Sequence, residues 1–367
     1  MTTTTSATAG ESSLFDADLI ARLSALQKKA ENIDDVEVKA AAEAAIKVVR
    51  DCITGERLFS DLFWKPKAVP DFPIRVFQPE EWDESVRAHI PAKNENWVWP
   101  KEETELFAFA MFSEDRTLLY GPTGTGKSAL PKAYCAELNI PYMLTSCHQQ
   151  QEATDFLGKD NIKFDEDTQS LSAHVEFSML TQGAKFGGMI VLDEAFRSPI
   201  LMAIQSLLEP GGSLVLPDAA GLSVAERRIT PPAGKHWIVL TDNTNGQGSD
   251  DGKYNAEVQD LSTLDRITAT IHIGYPSKND EHRVLSKVAP ALPKEMINKI
   301  VALNGQIRNA FMKNTIQQPL SIRAAIVIAK KAQHLGVKRS YELSYKAKLS
   351  PTDTGVYAEV WKQVMGE

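Results

Sequence analysis

The chain has 367 residues, 43% of them hydrophobic and 24% charged, with a net charge of −8. At about 150 residues per domain, this length suggests two or three domains with a sizeable packed core. The acidic balance argues against a nucleic-acid partner, which needs clustered Lys and Arg to neutralise phosphates, and no apolar run is long enough to predict a membrane span.

The chain opens on MTTTTSATAGESS. This stretch has neither the basic start nor the apolar centre of a secretory signal, and residues 1–13 are expected to be a disordered tail. Cys52, Cys135 and Cys147 are odd in number and form no CxxC pair. They read as reduced structural thiols, and the expected compartment is the cytoplasm. Over 14–60, Leu14, Leu19, Ile20, Leu23 and Leu26, then Val36, Val38, Ala42, Ala45, Ile46 and Val49, fall at helical spacing. This predicts an N-terminal helical hairpin. Residues 61–95 change character: Pro66, Pro70, Pro73, Pro79 and Pro91 break any long helix, while Trp64, Phe72, Phe77 and Trp82 supply large apolar groups. A free linker rarely carries so many aromatics, so this connecting segment is expected to lie along a folded domain.

From 96 to 276, short apolar strands alternate with helical stretches. Strands are predicted at 116–121, 141–146, 189–195, 236–243 and 268–276, and helices at 127–138 and 199–208. The rhythm is that of an α/β fold: a parallel sheet with helices on both faces. Residues 277–367 read as wholly helical and form a predicted second domain.

Gly121, Pro122, Thr123, Gly124, Thr125, Gly126, Lys127, Ser128 and Ala129 fit G-x-x-x-x-G-K-[ST] between a predicted strand and helix. Glycines let backbone N–H groups ring a phosphate, and the helix start adds its positive end. Lys127 would reach the β- and γ-phosphates of ATP, and the Ser128 hydroxyl would bind Mg2+. Met189-Ile190-Val191-Leu192-Asp193-Glu194 is a buried strand delivering two acids to the same sheet edge. Asp193 would support hydrated Mg2+, and Glu194 would polarise the attacking water. Asn243 ends a further strand, where its amide can bond that water or the γ-phosphate; an Asx-turn explains it equally well.

This set resembles a AAA+ ATPase, with a P-loop NTPase core followed by an all-helical lid. Within that group, LDEAFRSPILMAIQSLLEPGG (192–212) looks like the MoxR branch. DFLGKD (155–160) and TDNTNGQGSDDGKYNAEVQDLSTLDR (241–266) look closer still to the cobaltochelatase ATPase subunit CobS. The likeness runs from about Ile90 to the C-terminus; the N-terminal helices match nothing comparable. It implies that Arg323, in Ser321-Ile322-Arg323, touches the nucleotide from the same subunit. It also implies that Arg266 reaches a neighbour's γ-phosphate, with Arg227 and Arg228 as a second candidate pair. An arginine supplied in trans makes hydrolysis depend on assembly, so a homo-oligomeric ring, usually a hexamer, is implied.

Asn161–Phe164 and Leu171–Phe177 alternate around a turn, and the resemblance implies a hairpin insertion facing the central pore of the ring. Lys159, Lys163, His174 and Phe177 could touch a client there or simply be solvated. A second hairpin is predicted from Leu214–Pro217 and Arg228–Pro231. The family's usual partner carries a von Willebrand A-type domain, which this sequence lacks, so the partner is expected to be a separate chain. Four readings stay open: a motor remodelling a partner protein, the ATPase subunit of a cobalt chelatase, a nucleic-acid motor, and a non-catalytic nucleotide-gated scaffold.

Overall fold

The computed structural model describes residues 55–165, 170–216, 219–248, 254 and 258–366, with scattered residues between 25 and 42. The predicted tail at 1–13, most of the helical hairpin at 14–60, and the turn at 166–169 lie outside the described residues. The chain divides into two compact units: residues 1–66 with 70–77, and residues 67–69 with 78–367.

In the first unit, β1 (Glu56–Leu58) pairs antiparallel with β2 (Pro73–Arg75), and α1 (Phe59–Leu62) follows β1 directly. The aromatics of this stretch form a small core of their own. Phe59 is fully buried, its ring 4.9 Å from Phe63, 5.5 Å from Trp64 and 5.4 Å from Phe72.

The second unit begins with α2 (Glu84–Arg87) and α3 (Lys101–Phe112). Trp82 is buried and its indole N–H donates to the Asn139 carbonyl at 2.8 Å. The buried Glu105 carboxylate of α3 accepts from the Lys67 and Ala68 backbone N–H groups at 2.8 and 2.7 Å. The backbone at 67–68 is thus tied to α3 by a charge-assisted pair of bonds.

Next come β3 (Thr117–Tyr120), α4 (Ala129–Leu138), β4 (Tyr142–Ser146) and α5 (Ala153–Leu157). The hairpin β5 (Gly158–Asp165) and β6 (Ser170–Phe177) follows, then α6 (Met179–Phe186), β7 (Gly188–Asp193) and α7 (Ile200–Ala203). A short second hairpin, β8 (Leu214–Val215) and β9 (Arg228–Ile229), precedes β10 (His236–Asp242), α8 (Leu261–Asp265) and β11 (Ala269–His272). The predicted helix over 199–208 is divided. It breaks at Ile204 (φ −107°, ψ 13°) and ends in a 3-10 turn over Gln205–Leu208. There the Ser206 hydroxyl donates to the Ser213 carbonyl at 2.8 Å.

Five strands form one parallel sheet in the order β11-β3-β10-β7-β4. Met189 to Leu192 of β7 and Val239 and Leu240 of β10 are all 0% exposed, as expected for strands covered on both faces. The C-terminal region is helical: α9 (Lys278–Val288), α10 (Lys294–Met312), α11 (Ile322–Leu335), α12 (Val337–Ser344) and α13 (Pro351–Met365). Leu285, Ile300, Leu303, Ile307, Ile328 and Tyr341 centre its apolar core. Serines start three of these helices: Ser277 accepts from Asp280 N–H, Ser321 from Ala324 N–H and Ser350 from Asp353 N–H. Among the described residues, no helix is long and apolar enough to cross a membrane.

Candidate active site

The sheet register builds the site. Asp193 ends β7 opposite Thr241 of β10, and Asp242 of β10 lies opposite Tyr120 of β3. All three strands are parallel, so their carboxyl ends share one edge. Residues 121–128, Asp193 and Asn243 therefore leave neighbouring strands at one level, where ligands of open α/β sheets bind.

The loop after β3 has the backbone that its glycines allow. Gly124 has φ +70°, and a Cβ there would collide with the Ser321 side chain. Lys127 is 9% exposed, and its ammonium donates to the Gly121 and Pro122 carbonyls and to Asn243 Oδ1, each at 2.9 Å. The next residue reaches a different partner: Ser128 Oγ donates to Asp193 Oδ1 at 2.7 Å. Thr241 also donates to that oxygen, and the Tyr142 hydroxyl donates to the Ser128 carbonyl at 3.0 Å. Lys127, Ser128, Asp193 and Asn243, predicted from three separate stretches, thus form one connected cluster.

Burial pushes the Lys127 ammonium down to about 8, against the pull of Asp242, Asp193 and Glu194; the positive charge of Arg323 adds to the lowering. Cys147, beside the same acids, is driven up to about 12, first by burial and then by Asp193, Asp242 and Glu194. It is an inert, buried thiol.

Glu194 follows Asp193 in a left-handed backbone conformation (φ 58°, ψ 43°). Its carboxylate is 44% exposed and pairs with Arg197 at 2.7 Å. Arg323 stands in the first turn of α11, just after the capping Ser321. A cation there opposes the helix dipole. Ile322 N–H donates to the Gly124 carbonyl at 3.1 Å, so the start of α11 sits against the phosphate loop.

The other predicted arginines are placed elsewhere. Arg266, which caps α8, donates from Nε to Glu209 at 2.6 Å and from Nη1 to the Ser262 carbonyl at 2.5 Å. Arg227 Nε donates to the Leu222 carbonyl at 3.2 Å, and Arg228 Nε to Ser213 Oγ at 3.0 Å. The two predicted hairpins meet, with Ala220 N–H donating to Asp160 Oδ1 at 2.8 Å. On β5–β6, Ile162, Phe164 and Leu171 are 72, 55 and 72% exposed, and Phe164 pairs with Leu171 across the strands. The Lys163 side chain lies outside the described residues.

Sequence reasoning misses Thr241, Asp242 and Arg197. Buried Asp242 accepts from the Phe196 N–H at 3.2 Å and the Thr244 N–H at 3.0 Å, which holds the turn after β7 against the turn after β10. A polar Thr-Asp pair ending a buried apolar strand is the signal that could have found the first two.

The donor chemistry fits a magnesium-bound triphosphate. Mg2+ takes oxygen ligands, and Ser128 and Asp193 present hydroxyl and carboxylate oxygens side by side. Lys127 offers three N–H donors now held by neutral oxygens, which phosphate oxygens could replace.

Residues 116–254 match the profile of the AAA domain (dynein-related subfamily). The aerobic cobaltochelatase subunit CobS of a Sinorhizobium species is 24% identical over 287 residues, covering 76% of this chain and 84% of that protein. The denitrification regulatory protein NirQ of Pseudomonas aeruginosa is 26% identical over 62% of this chain and 80% of its own length. The mouse von Willebrand factor A domain-containing protein 8 is 24% identical over 60% of this chain but only 11% of that protein.

Proposed function

We propose that this chain, with an AAA domain at its centre and similarity to CobS and NirQ, is a MoxR-like AAA+ protein and a Mg2+-dependent ATPase that works as a ring. In this reading, ATP turnover drives remodelling of a separate partner protein. The observation that carries it is the meeting of Lys127, Ser128, Asp193 and Asn243 at one sheet edge, with α11 brought against the loop.

Magnesium, when bound, draws off charge from the phosphates and fixes their geometry. The chain's own groups do the rest. Loop N–H groups and Lys127 hold the phosphates. Ser128 and Asp193 hold the metal and its water shell. Glu194 orients the attacking water and takes its proton, with Asn243 beside it. Arg323 reaches the phosphates from the C-terminal helices, which act as a lid. Arg266 is the candidate for the arginine given to a neighbouring copy. Its present partner, Glu209, is 48% exposed, and an exposed ion pair is readily exchanged.

The test is ATP turnover in variants. Glu194→Gln should keep ATP binding while turnover falls by about 10²-fold or more; undiminished turnover removes Glu194 from this role. Arg266→Ala should bind ATP yet fail to hydrolyse it. Mixed with Glu194→Gln chains, it should recover part of the activity, because mixed rings contain sites with an intact glutamate and a neighbour's intact arginine. No recovery moves the assignment to Arg227 or Arg228.

The likeness to CobS over 84% of that protein favours one narrower reading: the ATPase subunit of a cobalt chelatase. Disruption of the gene should then abolish cobalamin synthesis, and an unchanged vitamin yield would exclude it. The partner is proposed to carry a von Willebrand A-type domain. One relative bears such a domain, by its name, in the same polypeptide as its matching region. Pull-down with a candidate partner, with and without ATP, tests that pairing.

A further inference from the structure

The lid holds a buried ion pair. Glu281 of α9 is 2% exposed and Arg308 of α10 is 6% exposed. Arg308 Nη1 donates to Glu281 Oε2 at 2.6 Å, and Nη2 to Oε1 at 2.9 Å. Asn304 Nδ2 donates to Glu281 Oε1 at 2.7 Å, and the Tyr341 hydroxyl to Asn304 Oδ1 at 2.6 Å. An apolar pair of similar volume often serves stability as well or better, and Leu285 and Ile307 of the same two helices already belong to the apolar core. Stability alone is a weak reason for these charges.

The remaining contacts of Arg308 supply another. Its Nε donates to the Leu320 carbonyl at 2.8 Å, and its guanidinium carbon lies 4.6 Å from the centre of the Tyr275 ring. Each of these residues leads to the phosphate loop. Leu320 precedes Ser321 and Ile322, which pack against and hydrogen-bond to Gly124. Tyr275 lies on the connection from β11 to α9, and its hydroxyl faces the Thr123 carbonyl at 3.4 Å. One planar group thus uses its edges on Glu281 and Leu320 and its face on Tyr275, which a lysine ammonium cannot do.

We propose that Arg308, clamped by Glu281, is a positioning residue that ties together the two connections between lid and phosphate loop and so sets where Arg323 lies over the phosphates. This rests on the ATPase reading above and deepens it. If the lid turns, Leu320 and Tyr275 must move as one body. Without the clamp they are free to part, and Arg323, three residues after Leu320, loses its fixed approach.

The test is a double-mutant cycle in the full-length chain. Glu281→Met with Arg308→Met removes both charges together, which avoids a stranded buried carboxylate. It is measured alone and with Arg323→Ala. The paired change should leave a cooperative melt, lowered by the Asn304 amide and Leu320 carbonyl it leaves unpaired, and lower kcat about tenfold with KM within about threefold. It should cause no further fall when Arg323 is already Ala. Spin labels at Ser113→Cys and Lys330→Cys, with Cys52→Ser, should show a broader lid-to-sheet distance distribution. An equal fall in kcat with and without Arg323, or an unchanged kcat and distance distribution, overturns the proposal. If the paired variant fails to fold, Tyr275→Leu keeps the ion pair, removes one of the two ties and should give the same pattern. If the parent hydrolyses no ATP, the ATPase reading fails instead; if the parent is active but Arg323→Ala is without effect, the ATPase reading stands and Arg323 loses its place over the phosphates. The distance distribution then decides alone: broadening supports the clamp and an unchanged distribution refutes it.

Discussion

Lys127 and Arg308 are both buried cations of the same unit, yet their partners differ in kind. Lys127 donates to two backbone carbonyls and one amide oxygen, and its acidic neighbours Asp242, Asp193 and Glu194 act only through space. Arg308 is gripped by both oxygens of one buried carboxylate. Neutral acceptors can be exchanged for phosphate oxygens without uncovering a charge. A carboxylate clamp cannot be released without leaving two charges stranded in an apolar core. The same fold thus holds one cation ready for exchange and another fixed as a strut.

The contrast breaks or holds on two single substitutions. Arg308→Met leaves Glu281 buried and unpaired, and should cost about 3–5 kcal/mol of stability in chemical denaturation. Lys127→Met removes a cation that burial already disfavours, so stability should stay level or rise. Its affinity for a fluorescent ADP should nonetheless fall by about a hundredfold, the loss of a charge-assisted phosphate contact. Equal destabilisation by the two would show that both cations are structural.

His236, at the start of β10, extends the series to a base whose burial no acid opposes among the described residues. Burial lowers its imidazole to about 4; a Gly183 backbone contact opposes the shift and nearby Arg116 adds to it. The folded state therefore keeps the ring neutral, while the unfolded chain takes up a proton below about 6.5. This contribution is complete above about pH 6.5 and is lost as pH falls towards 4, by up to about 3 kcal/mol. His236→Phe should flatten the stability curve across that window relative to the parent. An unchanged curve would mean that the ring takes up its proton as readily folded as unfolded.

What could be read beforehand follows from the same physics. A central parallel strand is covered on both faces, so Met189–Leu192 shows as an unbroken apolar run and the acid after it marks the sheet edge. A phosphate loop needs glycines and a lysine at fixed spacing, so it shows too. Thr241 does not, because a threonine suits any strand; only the register, which sets it opposite Asp193, reveals its hydrogen bond. Arg266 shows as an arginine near a helix end, but its tie to Glu209 spans 57 residues and no local pattern carries it. Asn304 and Arg308 were legible in principle: they fall on the apolar stripe of α10 with Ile297, Ile300, Val301, Ile307 and Phe311. Polar residues on a core stripe call for buried partners. Their partner Glu281 is on another helix, and pairing the two requires the packing.

The smallest expected effect concerns Arg197. Its ion pair with Glu194 is short, but the side chains are 32 and 44% exposed, and exposed pairs contribute little to stability. Arg197→Ala should therefore shift the unfolding free energy by no more than about 0.5 kcal/mol. Any consequence must pass through Glu194, whose backbone is fixed in the left-handed region while its carboxylate is oriented by the pair with Arg197. Freed from it, the carboxylate samples more directions, and turnover should drop about three- to tenfold with KM nearly unchanged. Arg197→Lys, which keeps the charge but not the planar fork, should restore part of that loss. This separates orientation from catalysis, because Glu194→Gln should cost about 10²-fold or more. Faster turnover in Arg197→Ala would reverse the reading: the arginine would then restrain the glutamate, and release of that pair would belong among the steps that start hydrolysis.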